Sequence, residues 1–146
     1  MMKALSLWQP WASFMDLGYK TNETRSWATN YRGPLIIHAA KNITAVKDAD
    51  DILEEGGIDM SKRSVVAGTQ WPRGVILCVV DLIDCVPTEK IRDGLTQLER
   101  AMGDYSDGRF AWMTKHVRRI KPAIPYRGMQ GLFTIPDEVM MTARLG

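Results

Sequence analysis

The run Gly74 to Val86, GVILCVVDLIDCV, constrains the fold most. Nearly all of it is β-branched or apolar, so it reads as one long strand within a sheet. Both cysteines of the chain, Cys78 and Cys85, lie in it. Seven residues of extended strand hold them ~23 Å apart, too far for a disulfide. That usage fits a reducing compartment, and the expected location is the cytoplasm.

Further strands are expected at Lys3 to Trp8, Thr21 to Trp27, Leu35 to Ala40, Arg109 to Val117 and Leu132 to Ile135. Pro10 suits the first position of a helix whose Trp11, Phe14 and Met15 form one stripe, with Gly18 as its stop. Thr44 caps a second helix, running to about Glu55, with Ile43, Val46, Ala49, Ile52 and Leu53 as its apolar side. Thr88 caps a third, with Ile91, Leu95, Leu98 and Met102 at helical spacing and Gly103 at its end. Asp137 begins a last helical turn. Residues 57–73 read as a polar, mobile loop. The helices do not alternate with strands as in a doubly wound sheet. The expected class is α+β: a small curled or barrel-like mixed sheet with peripheral helices, in one domain over 1–146.

The chain's 146 residues suffice for a core, because a domain of that size buries roughly 68–70% of its unfolded surface. No apolar run approaches the ~18 residues of a membrane span. Pro10 and Asp16 break the early apolar stretch, so no signal peptide is read there. The net charge of +2 is only mildly basic. A clamp for long duplex DNA carries a stronger field, so a short single strand or a single nucleotide fits better.

Chemistry concentrates between Trp8 and Trp27, WQPWASFMDLGYKTNETRSW. Three tryptophans offer stacking faces beside Lys20, Glu23 and Arg25. On a strand Glu23 and Arg25 share a face, so an ion pair or a common ligand contact follows. Burial is nonetheless the commoner fate of any one tryptophan, and Trp11 falls on the helix stripe. A surface salt-bridge cluster is the plainer alternative for the charges. Ser6, Thr21, Thr24 and Ser26 are hydroxyls near Lys20 that act as nucleophiles only where a base reaches them. His38 reads first as a satisfied core or cleft-wall histidine. The basic run Lys115, Arg118, Arg119, Lys121 is either a solvated sheet edge or a phosphate track. His38, His116, Cys78 and Cys85 lack structural-zinc spacing, so no metal is expected, and no cofactor either.

Gly18-Tyr19-Lys20-Thr21-Asn22-Glu23-Thr24-Arg25 resembles the G-x-K-x-x-E-x-R signature of ASCH domains, of the PUA-like superfamily. Ser6 to Trp11, Tyr31 to Lys41, Arg109 to Trp112 and Pro125 to Leu132 are similar to one branch of that family, in the same order. The resemblance implies a small PUA-like β-barrel with a cleft lined by the signature. It implies single-stranded RNA or a small nucleotide or nucleoside as ligand. Some members are hydrolases of acetylated cytidine and others are ribonucleases, so a hydrolase using the same cleft is the alternative. Glu23 stands where the amidohydrolases carry threonine, so their threonine mechanism is not expected here. Some ASCH domains sit in coactivator proteins, which makes a protein adaptor the third reading. Catalysis, where present, falls to Lys20 and Glu23. The expected ligand contacts are Trp8, Gln9, Lys20, Glu23, Arg25, Trp27, His38, Lys41, Tyr126, Arg127 and Gln130.

Overall fold

The computed structural model describes residues 1–43, 49–59, 71–141 and 143. In chain order its elements are β1 (Met2–Gln9), α1 (Trp11–Asp16), β2 (Asn22–Arg25), β3 (Gly33–Ile43), α2 (Ala49–Glu55), β4 (Val75–Pro87), α3 (Gln97–Ala101), β5 (Phe110–Pro125), β6 (Leu132–Ile135) and α4 (Asp137–Met140). The strands form one sheet in the order β2-β5-β4-β3-β1-β6. Only β1 and β3 run parallel; the other neighbours are antiparallel. This is a mixed α+β fold, as expected. Among the described residues no helix is long and apolar enough to cross a membrane.

β2 and β1 lie four places apart in that order. A flat sheet would separate them by about 19 Å, at roughly 4.8 Å per strand. Yet Arg25 of β2 donates from Nη2 to the Ser6 carbonyl of β1 at 2.9 Å. The sheet is therefore strongly curled. It does not close, because β2 and β6 are the two ends of the order and do not pair with each other. The closed barrel expected from the resemblance is corrected to an open curl. Its physical cause is that β2 meets β1 through an arginine side chain instead of a backbone ladder.

Strand alternation sorts the core. Leu5, Leu7, Leu35, Ile37, Val80 and Trp112 belong to one buried cluster that spans β1, β3, β4 and β5. Ala4, Ile36, Ile76, Val79, Ile120 and Phe133 form a second on the opposite parity, with Val139 and Met140 of α4 against it. Phe14 of α1, Ala49 and Leu53 of α2, and Met102 after α3 make a third. Trp11, Tyr19 and Trp71 meet the Phe14 ring edge-on.

Three expectations change on contact with the structure. The helix read from Thr88 breaks into two 3-10 turns, Thr88–Lys90 and Arg92–Gly94, before α3. Thr96 is the residue that caps α3, accepting from the Glu99 amide, while Thr88 is buried and donates to the Ser106 carbonyl. β5 runs on to Pro125 and takes in the basic run. β5 pairs with β2 only over Phe110 to Met113, so beyond it one flank carries no ladder. Arg118 pairs with Asp81 of the neighbouring β4, and Arg119 forks onto Asp16 of α1 at 3.2 and 3.0 Å. Burial raises the Asp16 carboxyl, and Arg119 opposes that shift. The expected Thr44 cap, Val46 and most of the 57–73 loop lie outside the described residues.

Trp112 is the largest fully buried side chain. Its Nε1 donates to the Trp27 carbonyl at 3.1 Å, and the two rings meet at 87° with centroids 4.7 Å apart. Trp112→Ala is expected to cost about 3–5 kcal/mol, because it empties the core and orphans that carbonyl. Trp8→Ala, at a half-exposed position, should stay within about 0.5 kcal/mol. Urea unfolding of the two variants measures the contrast.

Candidate functional site

Ser6 and Trp8 alternate with the core residues Leu5 and Leu7 on β1, so they face away from that cluster. Their neighbour in parallel register is His38 of β3, paired with Ser6. Arg25 reaches the same place from β2 across the curl. The turn after β5 arrives from the other side, held by a Tyr126 amide donating to the Gly74 carbonyl at 3.0 Å. Together these segments enclose a cavity of about 1090 Å³.

Of the residues expected in the site, Trp8, Arg25, Trp27, His38 and Lys41 line this cavity, as do Tyr126, Arg127 and Gln130. Glu23 lines an adjoining recess of about 330 Å³, which shares Ser6, Trp8, Arg25 and Trp27 with the first. Two expected residues lie elsewhere. Gln9 is fully buried, with its amide engaged by Ser13 and by the Pro72 carbonyl. Lys20 is 2% exposed and lines neither space. Its ammonium donates to the Met102 carbonyl, lies 3.4 Å from Glu23 and sits 5.5 Å from the Trp11 ring centre. The reason is local: β2 begins at Asn22, so Lys20 belongs to the turn after α1 and not to the strand face that carries Glu23 and Arg25.

Glu23 thus stands between two cations. Oε1 faces Lys20, and Oε2 lies 3.0 Å from Arg25 Nε. The Arg25 Nε hydrogen does not point along that line, so the contact is an ion pair without a directed hydrogen bond. Among the described residues nothing accepts from Arg25 Nη1, which leaves it for a ligand. Lys41 and Arg127 are exposed on the rim and make no ion pair among the described residues. Among the described residues that line it, the larger cavity therefore carries three cationic side chains and no carboxylate.

His38 is only 1% exposed. Its Nε2 lies 2.7 Å from the Tyr126 carbonyl and its Nδ1 2.8 Å from Ser6 Oγ. A carbonyl can only accept, so Nε2 carries the hydrogen. Burial lowers the affinity of the ring for a second proton, against the opposing pull of the Tyr126 carbonyl. The neutral ring then accepts at Nδ1 from the Ser6 hydroxyl. Gly128 packs over this pair, where a Cβ would stand 2.7 Å from His38 Cε1 and 2.9 Å from Ser6 Oγ. Gly128, Asn42 and Arg109 also line these spaces, and no spacing in the sequence singled them out. Of the expected hydroxyls, a base reaches two: Thr21 donates to the Glu99 carboxylate away from both spaces, and Ser6 meets His38 within them. The alternation of Ser6 with Trp8 on β1 was the available signal.

A pH dependence follows. The folded pKa of His38 lies below the ordinary 6.5, so folding releases protons. The stability of the pair is fully present above pH 6.5 and is lost as pH falls through the lower folded value. Denaturation midpoints measured across this range should fall with pH in the wild type and fall less steeply in His38→Gln.

The ASCH domain model matches residues 5–124. Activating signal cointegrator 1 of Homo sapiens and of Mus musculus are each 26% identical over 142 residues, 97% of this chain. The chain spans about a quarter of those relatives, 24% of their length. The ASCH protein of Zymomonas mobilis superposes with a TM-score of 0.58 at 14% identity, over 98% of this chain and 96% of that one. A tyrosine-to-phenylalanine variant of the same protein gives 0.60 at 12%, over 98% and 99%. Those likenesses speak for the fold. With the family match running through both halves of the curled sheet and across the signature, the chain belongs to the ASCH domain family.

Proposed function

We propose that the chain binds single-stranded RNA, or a nucleotide cut from it, in the cavity between β1, β3 and the turn after β5. One observation carries this reading: Arg25, Lys41 and Arg127 line the cavity with no carboxylate among its described lining residues, beside Trp8 and Trp27. Lys41 and Arg127 make no ion pair among the described residues, and Arg25 keeps Nη1 uncommitted beside its pair with Glu23. Such cations attract phosphate, and tryptophan offers a stacking platform that every base can use. At about 1090 Å³ the cavity reaches the upper end of spaces that hold one small molecule, which suits a short run of nucleotides. The family resemblance favours the same ligand class.

The alternatives draw less support. Hydrolysis through Lys20 and Glu23 requires Lys20 to meet the ligand, and Lys20 is buried behind Glu23. An adaptor surface calls for a broad apolar patch. Of the large apolar side chains exposed among the described residues, Trp8 and Met129 belong to the polar cavity instead.

Titration of a labelled single-stranded RNA oligomer at fixed salt tests the reading. Arg25→Ala should weaken binding about tenfold or more, since a charge-assisted hydrogen bond contributes about 1.5–3 kcal/mol. Lys121→Ala, an exposed cation outside the cavity, should change it less than about twofold. Trp8→Ala should cost about 1–3 kcal/mol of binding through lost stacking. Equal small losses at Arg25 and Lys121 would point to diffuse charge attraction and against this cavity.

A further inference from the structure

Ser6, His38 and the Tyr126 carbonyl form a relay that binding alone does not require. The Ser6 hydroxyl donates to Nδ1 of a neutral imidazole at 2.8 Å, and Nε2–H donates to a fixed backbone carbonyl at 2.7 Å. A hydroxyl, a base it already touches and a third group that fixes the base's tautomer are the parts of an activated nucleophile. Here a backbone carbonyl fills the place usually held by a carboxylate. Ser6 lines both the cavity and its recess. Gly128 lets the turn pack closely against the pair, since a Cβ there would stand 2.7 Å from His38 Cε1 and 2.9 Å from Ser6 Oγ, closer than packed atoms come.

We propose that Ser6 is a nucleophile, with His38 as its base, for O-acyl esters carried on a phosphate-bearing nucleoside or nucleotide end. The ester chemistry rests on the relay; the phosphate-bearing part of the substrate rests on the nucleotide reading of the cavity. Ser6 Oγ attacks the ester carbonyl as His38 Nδ1 takes the hydroxyl proton. The bond from carbonyl carbon to leaving oxygen breaks, and that oxygen leaves as an alcohol with the proton from Nδ1. Water then enters by the same route: His38 takes its proton, hydroxide attacks the acyl-serine, and Ser6 regains its hydrogen as the carboxylic acid departs. The Tyr126 carbonyl steadies the imidazolium through Nε2–H in both halves. Arg25, anchored on the Ser6 carbonyl at 2.9 Å, is the cation placed to meet the developing oxyanion.

The test uses the full chain with p-nitrophenyl acetate as the acylating probe, read by mass spectrometry of the intact and digested protein. The expected result is an acetyl group on Ser6 that forms and is then lost to water. Ser6→Ala should abolish that adduct, and His38→Gln should slow its formation on the order of 10²-fold or more. Gly128→Ala, whose Cβ would stand 2.9 Å from Ser6 Oγ and 2.7 Å from His38 Cε1, should also slow it by forcing the pair out of its geometry. Tryptophan fluorescence checks that each variant is folded, and mapping the wild-type adduct decides the matter even where His38→Gln is not. Acetyl found on lysines but never on Ser6 of the folded wild type overturns the nucleophile. Addition of the single-stranded RNA oligomer should protect Ser6. Labelling of Ser6 without protection overturns the nucleotide part of the substrate and leaves the nucleophile standing. Oligomer binding without any Ser6 labelling overturns the nucleophile alone.

Discussion

One carboxylate, Glu23, holds two cations with opposite fates. Lys20 lies on its inner side, withdrawn from solvent and bound to a backbone carbonyl. Arg25 lies on its outer side, reaching across the curl to β1. A buried ammonium without its partner typically costs 3–5 kcal/mol, so Glu23 is needed where it is whatever the ligand. Its position fixes β2, and β2 fixes Arg25. The cavity exists because Arg25 draws an end strand of the sheet to the strand four places away. The signature residues therefore build the wall of the site from behind as much as they furnish its surface.

The remaining wall follows from register. The parallel pairing of β1 with β3 sets Ser6 beside His38, and the carbonyl of Tyr126 completes the hydrogen bonds of the ring. The turn from Tyr126 onward is thus tied to the sheet through a buried imidazole, and it carries Arg127 and Gln130 to the rim. Rigid strands supply the stacking rings and Arg25, while this turn supplies the outer cations. A site built so is largely preformed, which lowers the ordering cost of binding.

The long strand β4, the apolar stripe of α1, and the short strands at either end of the chain were legible, because each is a local pattern of spacing or branching. The face shared by Glu23 and Arg25 was legible for the same reason. Lys20 was misplaced because the boundary of β2 falls between it and Glu23, and boundaries are where local patterns are weakest. Gln9 sits inside a motif-like run, yet its amide satisfies Ser13 and Pro72, a contact between positions 63 residues apart. The helix expected after Thr88 failed on Gly94 and on the stronger cap at Thr96. The relay of Ser6 and His38 spans 32 residues and depends on strand register alone, so no local pattern announces it.

Both ends of the sheet are four-residue strands, β2 and β6. An open curl leaves two rows of backbone groups without a ladder, the surface on which chains add to one another as fibrils. At these two ends each row is brief, with the side chains of Glu23 and Arg25 along β2, and the longer open flank of β5 beyond Met113 carries the cations Lys115, Arg118, Arg119 and Lys121 instead. Short, charged margins cannot template a long intermolecular strand. The fold thereby keeps an accessible cleft at its seam without offering neighbouring copies a place to polymerise.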